Sequence, residues 1–185
     1  MKNELLESVS ESTILGLIVS ADLTWKKNTE NLVHKANVRM LMLRNLIEYP
    51  VPQQELVTIY CLFIRSILEF NSNVWFSAIT HDEAEDLERV QKTACKLILR
   101  KDYSNYEDAL KILKLDSLPV RREKLALKFV KGCFKIDQMN ELFKESTTSK
   151  YDIRNKSSYD IKFATHSRLM KSAVPSLQRL LNSST

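Results

Sequence analysis

The run KNTENLVHKANVRMLMLRNLIE, residues 27–48, decides the fold. Val33, Ala36, Met40, Leu43 and Ile47 recur at the three- and four-residue spacing that places apolar side chains on one face of an α-helix. Tyr49-Pro50 ends that pattern and Pro52 restarts it, because proline breaks a helix interior yet suits a first turn. A second stripe follows in Leu56, Ile59, Phe63, Ile67, Phe70 and Val74, predicting a long helix that ends near Asn71–Trp75. Thr80 with Glu83 reads as a capping box, and Asp82 to Asp86 suit the positive end of a helix. That third helix is expected to reach about Lys101, with Leu87, Val90, Ala94 and Leu97 inward. Ser104 with Glu107 predicts another capped start, for a short helix to about Lys114. Ser117 and Pro119 open a fifth helix that runs to about Lys135.

Upstream of these helices the periodicity changes. Residues 4–9 and 13–19 read as strands, the second apolar on both faces, with Ser10-Glu11-Ser12 as the turn between them. Gly16 is expected inside a strand, where it allows close backbone approach. After Lys144 the chain is rich in Ser, Thr and Lys and is expected to be loosely ordered until Pro175. A short helix from Val174 to Leu181 then docks Leu177, Leu180 and Leu181. The expected fold is mainly α: an N-terminal β-hairpin (1–25), a bundle of about five helices (26–143) and a basic, loosely ordered C-terminal arm (144–185). Only two glycines among 185 residues leave few sites for tight turns, which argues against a many-stranded sandwich or barrel.

Composition narrows the chemistry. No apolar run approaches the eighteen or so residues of a membrane span, so no membrane partner is expected. Met1-Lys2-Asn3-Glu4 lacks the apolar core of a signal peptide. Cys61, Cys95 and Cys133 sit far apart in helical patterns, as buried free thiols would, which suits the nucleus or cytoplasm. His34, His81 and His166 are isolated, and two lone glycines cannot build a phosphate loop. No metal, cofactor or catalytic residue is predicted, and the carboxylates of Asp82 to Glu88 fan outward from a helix start.

Charge is the sharper signal. Residues 1–88 carry 7 Lys/Arg against 13 Asp/Glu, whereas residues 89–185 carry 21 against 10. Arg89, Lys92, Lys96 and Arg100 fall within about 80° of one another on the third helix. Arg121, Lys124, Lys128, Lys131 and Lys135 form a similar stripe on the fifth. Two such stripes, with Glu123 as the acidic exception, point to contact with a phosphodiester backbone, which positions a nucleic acid without reading its sequence.

The order of motifs carries a resemblance. Ile14-Leu15-Gly16-Leu17 through Asp22-Leu23-Thr24-Trp25 resembles the segment after the palm of non-LTR (LINE-type, jockey-like) retrotransposon reverse transcriptases. Lys35-Ala36 with Leu43-Arg44, Tyr60 with Ile64-Arg65 to Phe70, Val74-Trp75, Leu87 to Ala94 and Leu118 to Arg122 are similar to later motifs of that family, in the same order. The likeness covers about residues 12–135. It implies a thumb and connection region, with Leu15, Gly16 and Trp25 in a primer-grip-like hairpin and the basic helices against the RNA or DNA backbone of a template–primer duplex. It also implies that the catalytic palm and fingers belong to a missing part of the parent polymerase, so this chain is not expected to be an enzyme on its own. Trp25 is expected to seal the hairpin against the helices rather than stack on a base. The other reading is a helical module that binds a protein partner or self-associates through apolar surface left where the palm would pack.

Overall fold

The computed structural model describes residues 8–143, 159, 161 and 166–184. Strands β1 (Glu11–Ile14) and β2 (Leu17–Ser20) form an antiparallel hairpin, with Glu11 opposite Ser20 and Ile14 opposite Leu17. The chain therefore reverses at Leu15-Gly16, not at Ser10–Ser12, and the run expected as one strand is split in two. Both turn residues have positive φ, 49° and 83°, the condition for a two-residue type I′ turn. Gly16 is thus a turn glycine, and a Cβ there would also lie 3.1 Å from the Phe70 ring. Among the described residues, the double-sided cover expected for the strand is absent. β1 is exposed throughout, and the hairpin holds on through buried Leu17 and the Ile18 N–H, which donates to Asn28 Oδ1 at 3.2 Å. Of the expected first strand, residues 4–7 lie outside the described residues.

Helix α1 (Lys26–Leu46) buries Ala36, Met40 and Leu43 as its pattern required. The next helix departs from expectation. α2 (Gln53–Ile59) passes through a π-helical stretch (Tyr60–Arg65) into α3 (Ser66–Leu68). The i→i+5 bonding of a π-turn takes more residues per revolution than the 3.6 of an α-helix. The inward face becomes Leu56, Tyr60, Ile64 and Leu68, while Phe63, Phe70 and Val74 of the expected stripe stand exposed. Asn71, in left-handed conformation, turns the chain into α4 (Ser72–Trp75), where Trp75 is fully buried and its indole N–H donates to the Phe70 carbonyl at 3.0 Å.

Helix α5 (His81–Leu99) starts with both bonds of the Thr80–Glu83 capping box. The next cap sits one residue later than expected. Asn105, not Ser104, accepts the N–H of Asp108 at 2.9 Å and opens α6 (Tyr106–Leu113), because its carboxamide reaches the third helical residue. α7 (Leu118–Cys133) follows, then the short α8 (Asp137–Asn140), α9 (Ser167–Met170) and α10 (Ala173–Ser183). α9 is a single helical turn within the arm expected to be loosely ordered up to Pro175. Most of that arm lies outside the described residues.

The core has two parts. The larger joins β2, α1, α2 with its π-continuation, α5 and α6, with Leu118 from α7. The smaller packs α10 on α7, with Leu177 and Leu181 against Ala126, Val130, Cys133 and Phe143. Cys95 and Cys133 are buried free thiols, while Cys61 is half-buried. Among the described residues no helix is long and apolar enough to cross a membrane.

Candidate nucleic-acid interface

On α7 the cations divide by the residues they face. Leu118, Arg122, Ala126, Val130 and Cys133 form the buried side, and at 100° per residue Lys124, Lys128 and Lys131 fall opposite it. All three are exposed. Lys124 donates to Asp116 at 2.7 Å, which holds that carboxyl below its ordinary range. Lys128 and Lys131 meet no carboxylate among the described residues. Arg121 sits at the edge of the ridge with its Nε 2.6 Å from Glu69, an ion pair whose angles are not those of a hydrogen bond. Arg65 approaches the same carboxylate at 3.8 Å.

The α5 stripe is more heavily engaged. Arg89 pairs with Asp86 at 2.8 Å, one turn earlier. Lys92 lies over the Tyr106 ring and Lys96 over Tyr103, at 5.4 and 5.5 Å from the ring centres, a favourable arrangement for an ammonium. Arg100, exposed and with a positive φ of 51°, ends the helix. The α6–α7 turn lies between the two stripes, since the Asp116 carbonyl accepts from Gln91 of α5 while its carboxylate accepts from Lys124 of α7. Of the predicted backbone-gripping residues, Arg89, Arg121 and Lys124 have protein carboxylates as partners. Lys92, Lys96, Arg100, Lys128 and Lys131 have none among the described residues.

The hairpin residues are separated from these ridges in role. Leu15 is 88% exposed at the turn, Gly16 faces Phe70, and Trp25 packs against the main core at the start of α1. No cluster of three His, Cys, Asp or Glu that could hold a metal occurs among the described residues.

Sequence reasoning missed the polar centre behind the stripes. Arg122, adjacent to ridge residue Arg121, is 2% exposed and stacks on the Trp75 ring at 5.3 Å. Burial lowers its pKa to about 10 against the pull of Glu88 and Glu69. Glu88, itself buried, accepts the Leu118 N–H at 3.0 Å and the Tyr106 hydroxyl. The Tyr60 hydroxyl donates to Gln91 Oε1 at 2.7 Å, and the Gln91 amide donates to the Tyr106 oxygen at 2.8 Å. Burial, reinforced at Tyr106 by Glu88, raises the pKa of both tyrosines. This network fixes where α7 starts relative to α5, and so where the ridges point. Its signal was the adjacency of Glu88 and Gln91 to Leu87 and Val90, with polar residues on the inward side of an apolar stripe.

Compared with family models, characterised proteins and solved structures, the chain matches none.

Proposed function

We propose that this chain grips the sugar–phosphate backbone of a nucleic acid, as the thumb-like unit of a non-LTR-type reverse transcriptase would grip its template–primer duplex. The observation that carries the reading is the α7 ridge, on which Lys124, Lys128 and Lys131 stand exposed opposite a buried face. Lys96 and Arg100 on α5 add cations without a carboxylate partner among the described residues. Arg89, Arg121 and Lys124 would exchange carboxylates for phosphates. Nothing in such a surface reads bases, so affinity is expected to be salt-dependent and indifferent to sequence. The catalytic step would belong to a palm supplied elsewhere.

The test is a titration with a blunt RNA–DNA hybrid over a range of salt. Removing one lysine–phosphate interaction should reduce the slope of log affinity against log salt by roughly 0.9. Lys128→Ala with Lys131→Ala is therefore expected to lower the slope by about two such steps without unfolding the chain. Absence of hybrid binding at low salt overturns the reading. A second reading, a self-associating helical module, is favoured by Leu62 at 62% and Phe63 at 45% exposure on the outer side of the π-stretch. A salt-insensitive oligomer in size-exclusion chromatography would support it.

A further inference from the structure

A groove of about 590 Å³ runs beside the α7 ridge, between α7, α8 and the turn that joins α3 to α4. Four of its features go together. Phe129 presents an aromatic ring that is 40% exposed, next in sequence to ridge residue Lys128, which also lines the groove. Ile136 and Met139 supply an apolar wall. Asn73 lines the groove too, and its side-chain carbonyl is buried with no hydrogen-bond partner among the described residues. Gly132, one turn on from Phe129, opens the helix surface, and a Cβ added there would meet nothing within 4 Å.

The glycine is the telling residue. Gly132 stands in the last turn of α7, and neither packing nor a positive φ requires a glycine there. A flat ligand lying against bare backbone would. Among the described residues the only carboxylate lining the groove, Glu69, is already matched by Arg121, so the unmatched charge at the groove is the ammonium of Lys128. An aromatic face, a bare backbone patch, an unsatisfied acceptor and a neighbouring cation make a site for one nucleotide unit.

We infer that this groove takes an unpaired nucleobase of the strand whose phosphates lie on the α7 ridge. Phe129 stacks on the base, Gly132 gives it room, a base N–H satisfies Asn73 after a rotation of that side chain, and Lys128 meets the adjoining phosphate. The inference rests on the backbone-gripping reading above for its strand, but the pocket is testable separately.

Two probes separate them. The first pair is a blunt RNA–DNA hybrid and the same hybrid with a short single-stranded extension. The extended hybrid is expected to bind roughly tenfold or more tightly, the effect of stacking one base. Phe129→Ala and Gly132→Ala should each remove that advantage while leaving blunt-hybrid affinity and its salt slope unchanged. Gly132→Ala is the stricter variant, since it should raise the melting temperature while weakening capture of the extension. The second probe is uridine or adenosine monophosphate, followed by NMR shifts at Phe129, Ile136 and Met139. Equal affinity for the two hybrids overturns the pocket and leaves the ridge reading intact. Binding of the mononucleotide at these residues without any hybrid binding keeps the pocket and overturns the ridge. Absence of both overturns both.

Discussion

Leu15 occupies a position that its side chain makes unfavourable. It holds φ 49° at the tip of the hairpin with 88% of its surface exposed. The left-handed conformation costs an L-residue with a Cβ about 1–2 kcal/mol, and asparagine tolerates it best among non-glycine residues. Exposed leucine recovers nothing by burial there. Leu15→Asn, giving Asn-Gly at the turn, is expected to stabilise the protein by about 0.5–1 kcal/mol. Urea denaturation should show a higher midpoint at unchanged m-value, and an unchanged or lower midpoint would mean that Leu15 makes a contact the hairpin needs. Arg122 illustrates the opposite case, a charge kept where burial works against it. Its guanidinium lies over the Trp75 ring and in the fields of Glu88 and Glu69, with no direct ion pair among the described residues. Nothing in the spacing of Arg121 and Arg122 distinguishes the ridge residue from the buried one except the helical phase of their neighbours.

At the scale of elements, legibility followed locality. The Thr80–Glu83 box and the face of α1 could be read because the residues that fix them lie within one or two turns of each other. The π-stretch could not, because Leu56, Tyr60, Ile64 and Leu68 align only after the helix has widened, and an assumed 3.6-residue period selects Ile59, Phe63 and Ile67 instead. The α7 ridge was legible from its three- and four-residue spacing. The carboxylates that engage it, Glu69 and Asp116, reach Arg121 and Lys124 through the fold, across a chain separation or a turn that no helical wheel includes. The groove beside Phe129 needed the α3–α4 turn and α8 as walls, and neither element was anticipated. α10, in contrast, was expected where it stands, and its docking sets up a separable unit. Leu177 and Leu181 cover Ala126, Val130 and Cys133, and among the described residues no α10 residue belongs to the larger core, although Phe76 packs against both. Truncation before Ala173 is therefore expected to make Cys133 readily labelled by a thiol reagent while Cys95 stays protected. Equal labelling of both thiols would show that the two clusters fold as one unit.

For the whole molecule, the decisive feature is a set of buried weak acids kept protonated. Tyr60 and Tyr106 join α5, α6 and the π-stretch at the centre, and burial lifts both above the ordinary 10.0. Burial likewise lifts the Cys95 thiol from 9.0 to about 12, with Cys61 and Cys133 shifted the same way. In the unfolded chain these groups release their protons near 9 and 10, whereas the folded chain holds them. Their contribution to stability is therefore fully present at neutral pH and is lost as pH rises, by about 1.4 kcal/mol per pH unit for each fully affected group. Arg122 acts in the other sense. Burial lowers its pKa, the direction opposite to that of the thiols and tyrosines. The denaturation midpoint is accordingly expected to stay level from pH 7 to about 9, to decline as the thiols come into play, and to fall more steeply above about 10. Cys95→Ala should flatten part of the first decline, and Tyr106→Phe part of the second. Urea titrations at closely spaced pH values check this. A midpoint that holds level through about pH 11 would mean that Tyr60, Tyr106 and Cys95 reach solvent, and that the network fixing α7 against α5 is not closed.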